Sequence, residues 1–367
     1  MRGTFPCSLI LFLSALAAAP ELPGPASRAA SSGPPVGRRH EIQFRRNDYP
    51  AVASPARLQA AGLTKAILRV FSDDEKNGGL YFANGSFPVV RPALDPWAGE
   101  YAGNPVALWA WMGARKFAWM AEAGLLDREW RAGGTHPIAK LDLFNPRALD
   151  LVAGLFAQLA RRQVRGILIQ DDLTLQRSEG FSSWGLASFS RASGLAAEPR
   201  RMLDRGSAAN LAWEDLKAGT VTEALQRIVT ACRAANAAIE IGLNVHYEAP
   251  LTPERARSWY AFDTRAASAT AVDLFYLMAY HRQMRDEMRL AEGDNRLYFR
   301  RMLEAALKLW GPRLAVKLQV RDWRSSEPIP LAELQAYYDL IPDAVERVCF
   351  AAADPEDIDR ISRIIGR

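Results

Sequence analysis

Short apolar stretches alternate with helical patterns along the chain from His40 onward. Most of these stretches are nearly continuous apolar runs, which is typical of parallel strands that are covered on both faces. The pattern therefore predicts eight strands separated by helices. The predicted strands are Glu41–Arg45, Ala66–Ser72, Val106–Met112, Gly166–Gln170, Ile239–Val245, Asp273–Ala279, Leu314–Val320 and Arg347–Ala351.

The segments between the strands carry apolar residues at the period of about 3.6 that marks the buried face of a helix. Asn145 followed by Pro146 predicts a helix start, with a side-chain N-cap and proline at the first helical position. The apolar positions of that helix are Leu149, Val152, Leu155, Phe156 and Leu159. Three further helical stripes follow, at Val221–Cys232, Met302–Trp310 and Leu331–Ile341.

Eight strand–helix units in about 320 residues predict an α/β fold, a single (β/α)8 barrel of the TIM type with enlarged loops after the strands. A doubly wound open sheet is the alternative, but that fold often carries a glycine-rich phosphate loop. The sequence has no GxGxxG after a predicted strand and no GxxxxGK[ST]. No cofactor is therefore predicted.

The first 19 residues are predicted to be a signal peptide and not part of the fold. Arg2 supplies the positive charge, Leu9 to Leu16 the apolar core, and Ala15 to Ala17 the small residues at the cleavage site. This apolar stretch is too short for a permanent membrane anchor. Residues 20–39 are predicted to be a disordered leader and residues 40–367 the barrel domain. The protein is thus expected to be exported to a bacterial periplasm or secreted, with no integral membrane segment after cleavage.

Composition supports a globular chain with ample core material, because 49% of its 367 residues are hydrophobic and 24% are charged. The net charge of +5 is spread along the chain, so no nucleic-acid partner is expected. Cys7 lies in the signal peptide. Cys232 and Cys349 are predicted to be small buried hydrophobes, and a disulfide is possible but not indicated.

Carboxylates follow six of the eight predicted strands, and aromatic residues flank them. In a barrel of this kind, the residues at the carboxyl ends of the strands form the active site. Paired carboxylates with aromatic platforms are the equipment of a carbohydrate site, and an acidic mouth suits a positively charged substrate such as a partly deacetylated amino sugar. The six are Asp48, Asp73, Asp171, Glu248, Asp322 and Asp354.

Several of these residues also have a structural interpretation. Asp171 and Asp172 could cap a turn, and Trp109 and Trp111 could fill the barrel interior. His246 and His281 belong to no HExxH or HxxxH pair, so no metal site is predicted. There is no GxSxG motif, which argues against a serine hydrolase.

The order of motifs resembles the C-terminal glycoside-hydrolase domain of the periplasmic poly-β-1,6-N-acetylglucosamine N-deacetylases of biofilm export, classed as glycoside hydrolase family 153. Gln170 stands where that family commonly has histidine, His281-Arg282 is a basic departure, and the deacetylase domain is absent. The matching pieces are Gly79–Asn84, Leu108–Met112, Gly166–Asp172, Trp213–Lys217, Asn244, Trp259, Leu277–Tyr280 and Lys317–Trp323.

The resemblance implies endo-hydrolysis of partially deacetylated poly-β-1,6-N-acetylglucosamine or a related amino-sugar polysaccharide. Asp171 and Asp172 would be catalytic: one would protonate the glycosidic oxygen, and the other would orient the 2-acetamido group or act as a second carboxylate. The segment Leu173–Gly206 would form a groove wall or lid. The implied substrate-binding residues are Asp73, Tyr81, Asn84, Trp109, Trp111, Asn244, His246, Glu248, Trp259, Tyr280, Asp322 and Trp323.

Two other functions remain open from the sequence. Because Gln170 replaces the family's usual histidine, the second hypothesis is a non-catalytic barrel that binds polysaccharide or assists exopolysaccharide export machinery. A hydrolase of another glycan, such as an α-linked one, is the third hypothesis. Asp73, Glu248 and Asp322 are the candidates if a distant second carboxylate takes part.

Overall fold

The computed structural model describes residues 37–46, 53–74, 76–117 and 122–366. The predicted signal peptide, Cys7, Asp48 and most of the predicted leader lie outside these residues. The domain boundaries in the first 36 residues therefore stay predictions.

The described residues form twelve β-strands, which include all eight predicted ones. The strands are β1 (Arg39–Phe44), β2 (Leu63–Arg69), β3 (Phe71–Ser72), β4 (Gly79–Leu80), β5 (Ala107–Met112), β6 (Leu126–Arg131), β7 (Gly134–Leu141), β8 (Gly166–Ile169), β9 (Glu240–Val245), β10 (Leu274–Met278), β11 (Leu314–Gln319) and β12 (Arg347–Ala353).

Helices separate most of the barrel strands. They are α1 (Pro55–Ala60), α2 (Leu94–Tyr101), α3 (Pro146–Ala160), α4 (Ser183–Ser193), α5 (Pro199–Met202), α6 (Ala208–Ala235), α7 (Pro253–Tyr260), α8 (Thr264–Ser268), α9 (His281–Met288), α10 (Glu292–Trp310), α11 (Leu331–Tyr338) and α12 (Ile358–Ile365). Asn145 caps α3 as predicted, because its side chain accepts a hydrogen bond from the backbone N–H of Arg147.

Eight of the strands close into a barrel in the order β1-β12-β11-β10-β9-β8-β5-β2, and every neighbouring pair is parallel. The predicted (β/α)8 fold is therefore confirmed. Parallel strands point their carboxyl ends the same way, so the loops that follow them all lie at one end of the barrel.

Along each barrel strand, successive side chains alternate between an outer core under the helices and an inner core inside the barrel. Outward-facing residues of the strands pack against the helices, whereas inward-facing residues fill the barrel. Two glycines make room for large rings in the barrel: a Cβ on Gly166 would lie 2.3 Å from the Trp109 ring, and one on Gly242 would lie 2.7 Å from the Tyr276 ring. Cys232 and Cys349 are both buried and free.

Two features after β5 and β8 were not predicted. Strands β6 and β7 form an antiparallel hairpin whose turn residues, Ala132 and Gly133, have φ values of 49° and 78°. Positive φ at both positions is the type I′ geometry that suits a two-residue hairpin. The segment Leu173–Gly206 contains two short helices, α4 and α5. In the part of the chain that the structure describes, no helix is long and apolar enough to cross a membrane.

Candidate active site

Asp172 is held by the loop that follows the neighbouring strand β5. Its carboxylate accepts backbone N–H hydrogen bonds from Ala114 at 2.9 Å, Arg115 at 2.8 Å and Lys116 at 2.6 Å. Burial raises the pKa of Asp172, and the three N–H donors oppose that shift. Because both carboxylate oxygens are engaged, Asp172 joins two loops at the mouth of the barrel.

Asp171 differs from its neighbour. Its side chain is partly exposed and accepts no hydrogen bond from any residue that the structure describes. It borders a small, mostly apolar cavity between the ends of β8 and β9 and the helices α6 and α7, together with Gln170, Asn244, His246 and Tyr260. Its negative charge acts on Tyr280 and Lys317 at the barrel mouth, so Asp171 is a carboxylate near the mouth that is available to a ligand.

Asn244 and Tyr280 lie near Asp171, as the strand order requires. Asn244 is the last inward-facing residue of β9, and its Oδ1 accepts a hydrogen bond of 2.7 Å from Lys317 Nζ. Tyr280 follows β10, and Lys317 Nζ lies 5.8 Å from its ring. Burial raises the pKa of Tyr280, and the negative charge of Asp171 adds to that shift.

His246, Glu248 and Trp259 belong to the loop and helix after β9. The His246 ring stacks on Tyr260 at a centroid distance of 4.4 Å. Glu248 is only 2% exposed, and Tyr260 Oη lies 3.5 Å from its Oε1. Trp259 is 45% exposed and lines a cavity of about 500 Å³ that also meets Tyr260. Tyr260 therefore separates the small cavity at Asp171 from a larger one beyond it.

Asp73 and Trp111 meet at Arg69. Arg69 Nη2 donates to Asp73 Oδ1 at 2.6 Å, and the Arg69 guanidinium lies 5.5 Å from the Trp111 ring. Burial alone would raise the pKa of Asp73, but Arg69 and Lys116 outweigh it and lower that pKa. Asp73 is thus neutralised by two cations at the rim.

Asp322 and Trp323 follow β11. Asp322 accepts a hydrogen bond of 3.2 Å from Arg282 Nη1 and others from the backbone N–H groups of Arg324 and Ser325. These bonds hold its pKa below the ordinary value against a burial effect that would raise it. Trp323 is 44% exposed, and the Arg324 guanidinium lies 4.7 Å from its ring. Asp322 shapes the loop that presents this indole.

The predicted acidic mouth is largely neutralised by arginine. Asp73 pairs with Arg69, Asp322 with Arg282, and Asp354 accepts hydrogen bonds from Arg45 at 2.9 Å and 2.5 Å. The predicted acidic charge took only the carboxylates at the strand ends into account, whereas the fold places arginines beside three of them. Asp171 remains as a carboxylate at this end without such a partner among the described residues.

Three residues that were predicted to bind the ligand instead pack or form hydrogen bonds within the protein. Trp109 is fully buried in the barrel and packs on Tyr276 at 6.0 Å, so the alternative of interior filling holds for it. Tyr81 is 8% exposed and stacks on Trp97. Asn84 accepts hydrogen bonds from the backbone of Ser86 and Phe87, which closes its own turn.

Several polar residues near the mouth were missed. Gln43 and Gln319 are the last inward-facing residues of β1 and β11; both are buried, and their Oε1 atoms have no hydrogen-bond partner. Gln170, already singled out in the sequence, is only partly buried, but its Oε1 atom is also buried without a partner. The signal of Gln43 and Gln319 in the sequence was the two-residue alternation of the strands, which places them inside the barrel at its open end.

The described residues contain no group of three or more His, Cys, Asp or Glu side chains that could hold a metal ion. The mouth offers carboxylate, amide and aromatic groups to a ligand. Such a set suits the hydroxyl groups and apolar faces of a sugar.

Comparisons with known proteins agree with this geometry. Residues 55–347 match a family described as hypothetical glycosyl hydrolase family 13. A comparison with curated proteins gives no match.

Similar solved structures are glycoside hydrolase barrels. The PgaB (BpsB) glycoside hydrolase domain from Bordetella bronchiseptica has a TM-score of 0.73 and 18% identity, covering 90% of this chain and 99% of that one. A cold-adapted β-galactosidase from Rahnella sp. R3 has a TM-score of 0.60 and 12% identity, covering 90% and 56%. A β-galactosidase from Halorubrum lacusprofundi has a TM-score of 0.62 and 11% identity, covering 89% and 57%. These likenesses show the fold.

Proposed function

The chain belongs to hypothetical glycosyl hydrolase family 13, and on that premise we propose that it is an exported, endo-acting glycosidase of an amino-sugar polysaccharide. The substrate class is partially deacetylated poly-β-1,6-N-acetylglucosamine or a related polymer. The motif resemblance supports this class, and the signal-peptide pattern of residues 1–19 supports export to the periplasm or beyond.

The observation that carries the proposal is the contrast between the two adjacent aspartates. Asp172 is engaged by three backbone N–H groups, whereas Asp171 faces the mouth without a hydrogen-bond partner among the described residues. Asp171 is therefore the group that meets the reacting atoms. Asp172 positions it by fixing the loops on either side.

In the proposed reaction, Asp171 donates its proton to the glycosidic oxygen as the bond from that oxygen to the anomeric carbon breaks. The carbonyl oxygen of the sugar's own 2-acetamido group attacks the anomeric carbon and forms a cyclic oxazolinium ion. Water then adds to the anomeric carbon, returns a proton to Asp171 and restores the acetamido group. Substrate assistance is favoured because the other described carboxylates at this end are paired or buried.

The test replaces each aspartate by asparagine. We expect Asp171→Asn to lower polymer cleavage by about 10²-fold or more, because it removes the proton donor, and to leave the free energy of unfolding nearly unchanged. Asp172→Asn should lower both activity and stability, the latter by about 1–3 kcal/mol, because an amide cannot accept all three N–H bonds. Cleavage is measured as new reducing ends and shortened products, and stability by urea unfolding.

Asp294→Asn, on the exposed surface of α10, is the matched control and should change neither quantity. Full cleavage by Asp171→Asn would overturn the assignment of the acid. Oligosaccharide binding by the unmodified protein with no shorter products after long incubation would instead indicate the non-catalytic barrel that Gln170 keeps open.

A further inference from the structure

Lys317 is a buried cation at the base of the mouth that the proposed reaction does not use. It lies on β11, and its side chain points into the barrel and is 1% exposed. Nζ donates to Asn244 Oδ1 at 2.7 Å, yet Lys317 forms no ion pair with any carboxylate of the described chain. The other interior lysine, Lys65, has Glu41 at 2.8 Å.

The bond from Lys317 restricts the amide of Asn244. An ammonium group can only donate hydrogen bonds, whereas an asparagine amide has one accepting oxygen and one donating nitrogen. Oδ1 must therefore face Lys317, and Nδ2 faces the other way. Nδ2 donates to no residue that the structure describes and is not sealed from solvent, so its two N–H groups are available to a ligand.

We propose that Lys317 is a positioning residue that locks the amide of Asn244, so that Nδ2 donates to an acceptor oxygen of the bound sugar beside Asp171. This inference rests on the proposed function for its sugar ligand. The fixed orientation of the Asn244 amide, which we call the lock, depends only on the side chains of Lys317 and Asn244. Without it the amide can rotate by half a turn and present an acceptor to the same sugar oxygen, which would repel it.

Burying the Lys317 ammonium destabilises the fold, and its role in orienting Asn244 explains why a lysine is present at this position. Burial lowers the pKa of Lys317 to about 8, while Cys349 on β12 and Asp171 at the end of β8 oppose that shift. Asn244 on β9 and the Tyr280 ring after β10 complete its surroundings. A buried ammonium without a counter-ion is unfavourable, so a methionine of similar length would be the stable choice if the lysine only filled space.

The lock should depend on pH in a defined direction. A folded pKa below the ordinary 10.5 means that Lys317 loses its proton as the pH rises through about 8. The neutral amine can accept as well as donate, so the amide of Asn244 is no longer fixed above that pH. Activity is therefore expected to fall above about pH 8 through this group.

The first experiment observes the lock without any substrate. The protein is labelled with ¹⁵N-asparagine, and the side-chain signals of Asn244 are assigned by their loss in Asn244→Ala. We expect these signals to titrate with a midpoint near pH 8 and to lose that titration in Lys317→Met. An unchanged titration in Lys317→Met, or none in the unmodified protein, would overturn the lock.

The second experiment tests its use in catalysis. Lys317→Met should lower kcat/KM by about 10²-fold, the loss typical of a misplaced group in an active site, and should remove the fall in activity near pH 8. Lys317→Met combined with Asn244→Ala should lose no more than Asn244→Ala alone. Additive losses, or an unchanged pH profile in Lys317→Met, would contradict the proposal.

Lys308→Met on the exposed face of α10 is the matched control and should keep full activity. The two experiments separate this inference from the proposed function. If the amide signals titrate as expected but the unmodified protein cleaves no amino-sugar polymer, the glycosidase proposal fails and the lock stands.

Discussion

The closed and open ends of the barrel interior both bury polar side chains, but they satisfy them differently. At the closed end, Lys65 Nζ lies 2.8 Å from Glu41 and donates to Tyr276 at 2.9 Å, and Tyr276 donates to Glu41 at 2.7 Å. The ammonium also lies 3.8 Å from the Trp109 ring. The charged groups of this end thus find their partners within the protein.

At the open end several uncharged polar atoms lack partners, as Trp109 Nε1 does at the closed end. The Oε1 atoms of Gln43, Gln170 and Gln319 and the Nε1 atom of Trp111 are buried without a hydrogen bond. Unpaired buried polar groups destabilise a fold and are rare in native proteins unless water or a ligand completes them. The comparison indicates that the charged groups of the closed end are paired within the protein, whereas the unpaired amide oxygens of the open end can be completed by a ligand.

The largest expected effect is at the closed end. Lys65→Met leaves Glu41 buried without its cation, and removing one partner of a buried pair costs about 3–5 kcal/mol. We therefore expect a loss of that size in the free energy of unfolding, measured by urea unfolding followed through tryptophan fluorescence. Replacing both residues, Lys65→Met with Glu41→Leu, should recover much of it because no charge is left unpaired.

Lys308→Met, which is exposed, should change the free energy of unfolding by less than about 0.5 kcal/mol. A loss that small for Lys65→Met would mean that the pair is not a stabilising feature of the closed end. The contrast between the two ends would then disappear.

At the open end we expect a smaller change in the free energy of unfolding, and in the opposite direction. Gln319→Leu removes an amide with an unpaired oxygen, and an apolar replacement of similar shape should raise the free energy of unfolding by about 1 kcal/mol. The same change should weaken oligosaccharide binding by about tenfold, because the ligand then faces an apolar surface. Calorimetric titration measures the binding, and urea unfolding the stability.

Gln335→Leu on α11 is a comparison variant outside the barrel, where the amide donates to Asp339 at 2.7 Å. It should leave binding unchanged. If Gln319→Leu lowers stability and leaves binding intact, the open end is a structural core like the closed one.

The fold could be predicted from the sequence because parallel barrel strands are apolar on both faces. The eight predicted strands agree with the observed ones to within a few residues, and the predicted stripe Met302–Trp310 lies within α10. The β6–β7 hairpin was missed since its strands, Leu126–Arg131 and Gly134–Leu141, are partly exposed and carry polar residues and a proline.

The site could be predicted only in part. Barrel topology brings strand ends together, so Asp171, Asn244 and Tyr280 lie near one another as their positions required. The pairing of Asp73 with Arg69 and of Asp322 with Arg282 depends on side-chain geometry that no linear pattern reveals. The burial of Trp109 likewise depends on Gly166 on the neighbouring strand β8 and on Gly242 on β9, the strand beyond it.

The smallest expected effect lies beyond both ends of the barrel, at Trp259. Its exposed indole borders the cavity of about 500 Å³ that Tyr260 separates from Asp171, and Arg255 lies 5.1 Å from its ring. Loss of one aromatic platform costs about 1 kcal/mol, or roughly fivefold in affinity. Trp259→Ala should therefore weaken binding of long oligosaccharides by about that factor and leave disaccharide binding and the free energy of unfolding unchanged. Leu309→Ala, an exposed apolar residue on α10, is the control. An equal loss for short and long ligands would place Trp259 in the innermost site, and no loss for either would remove the cavity from the binding groove.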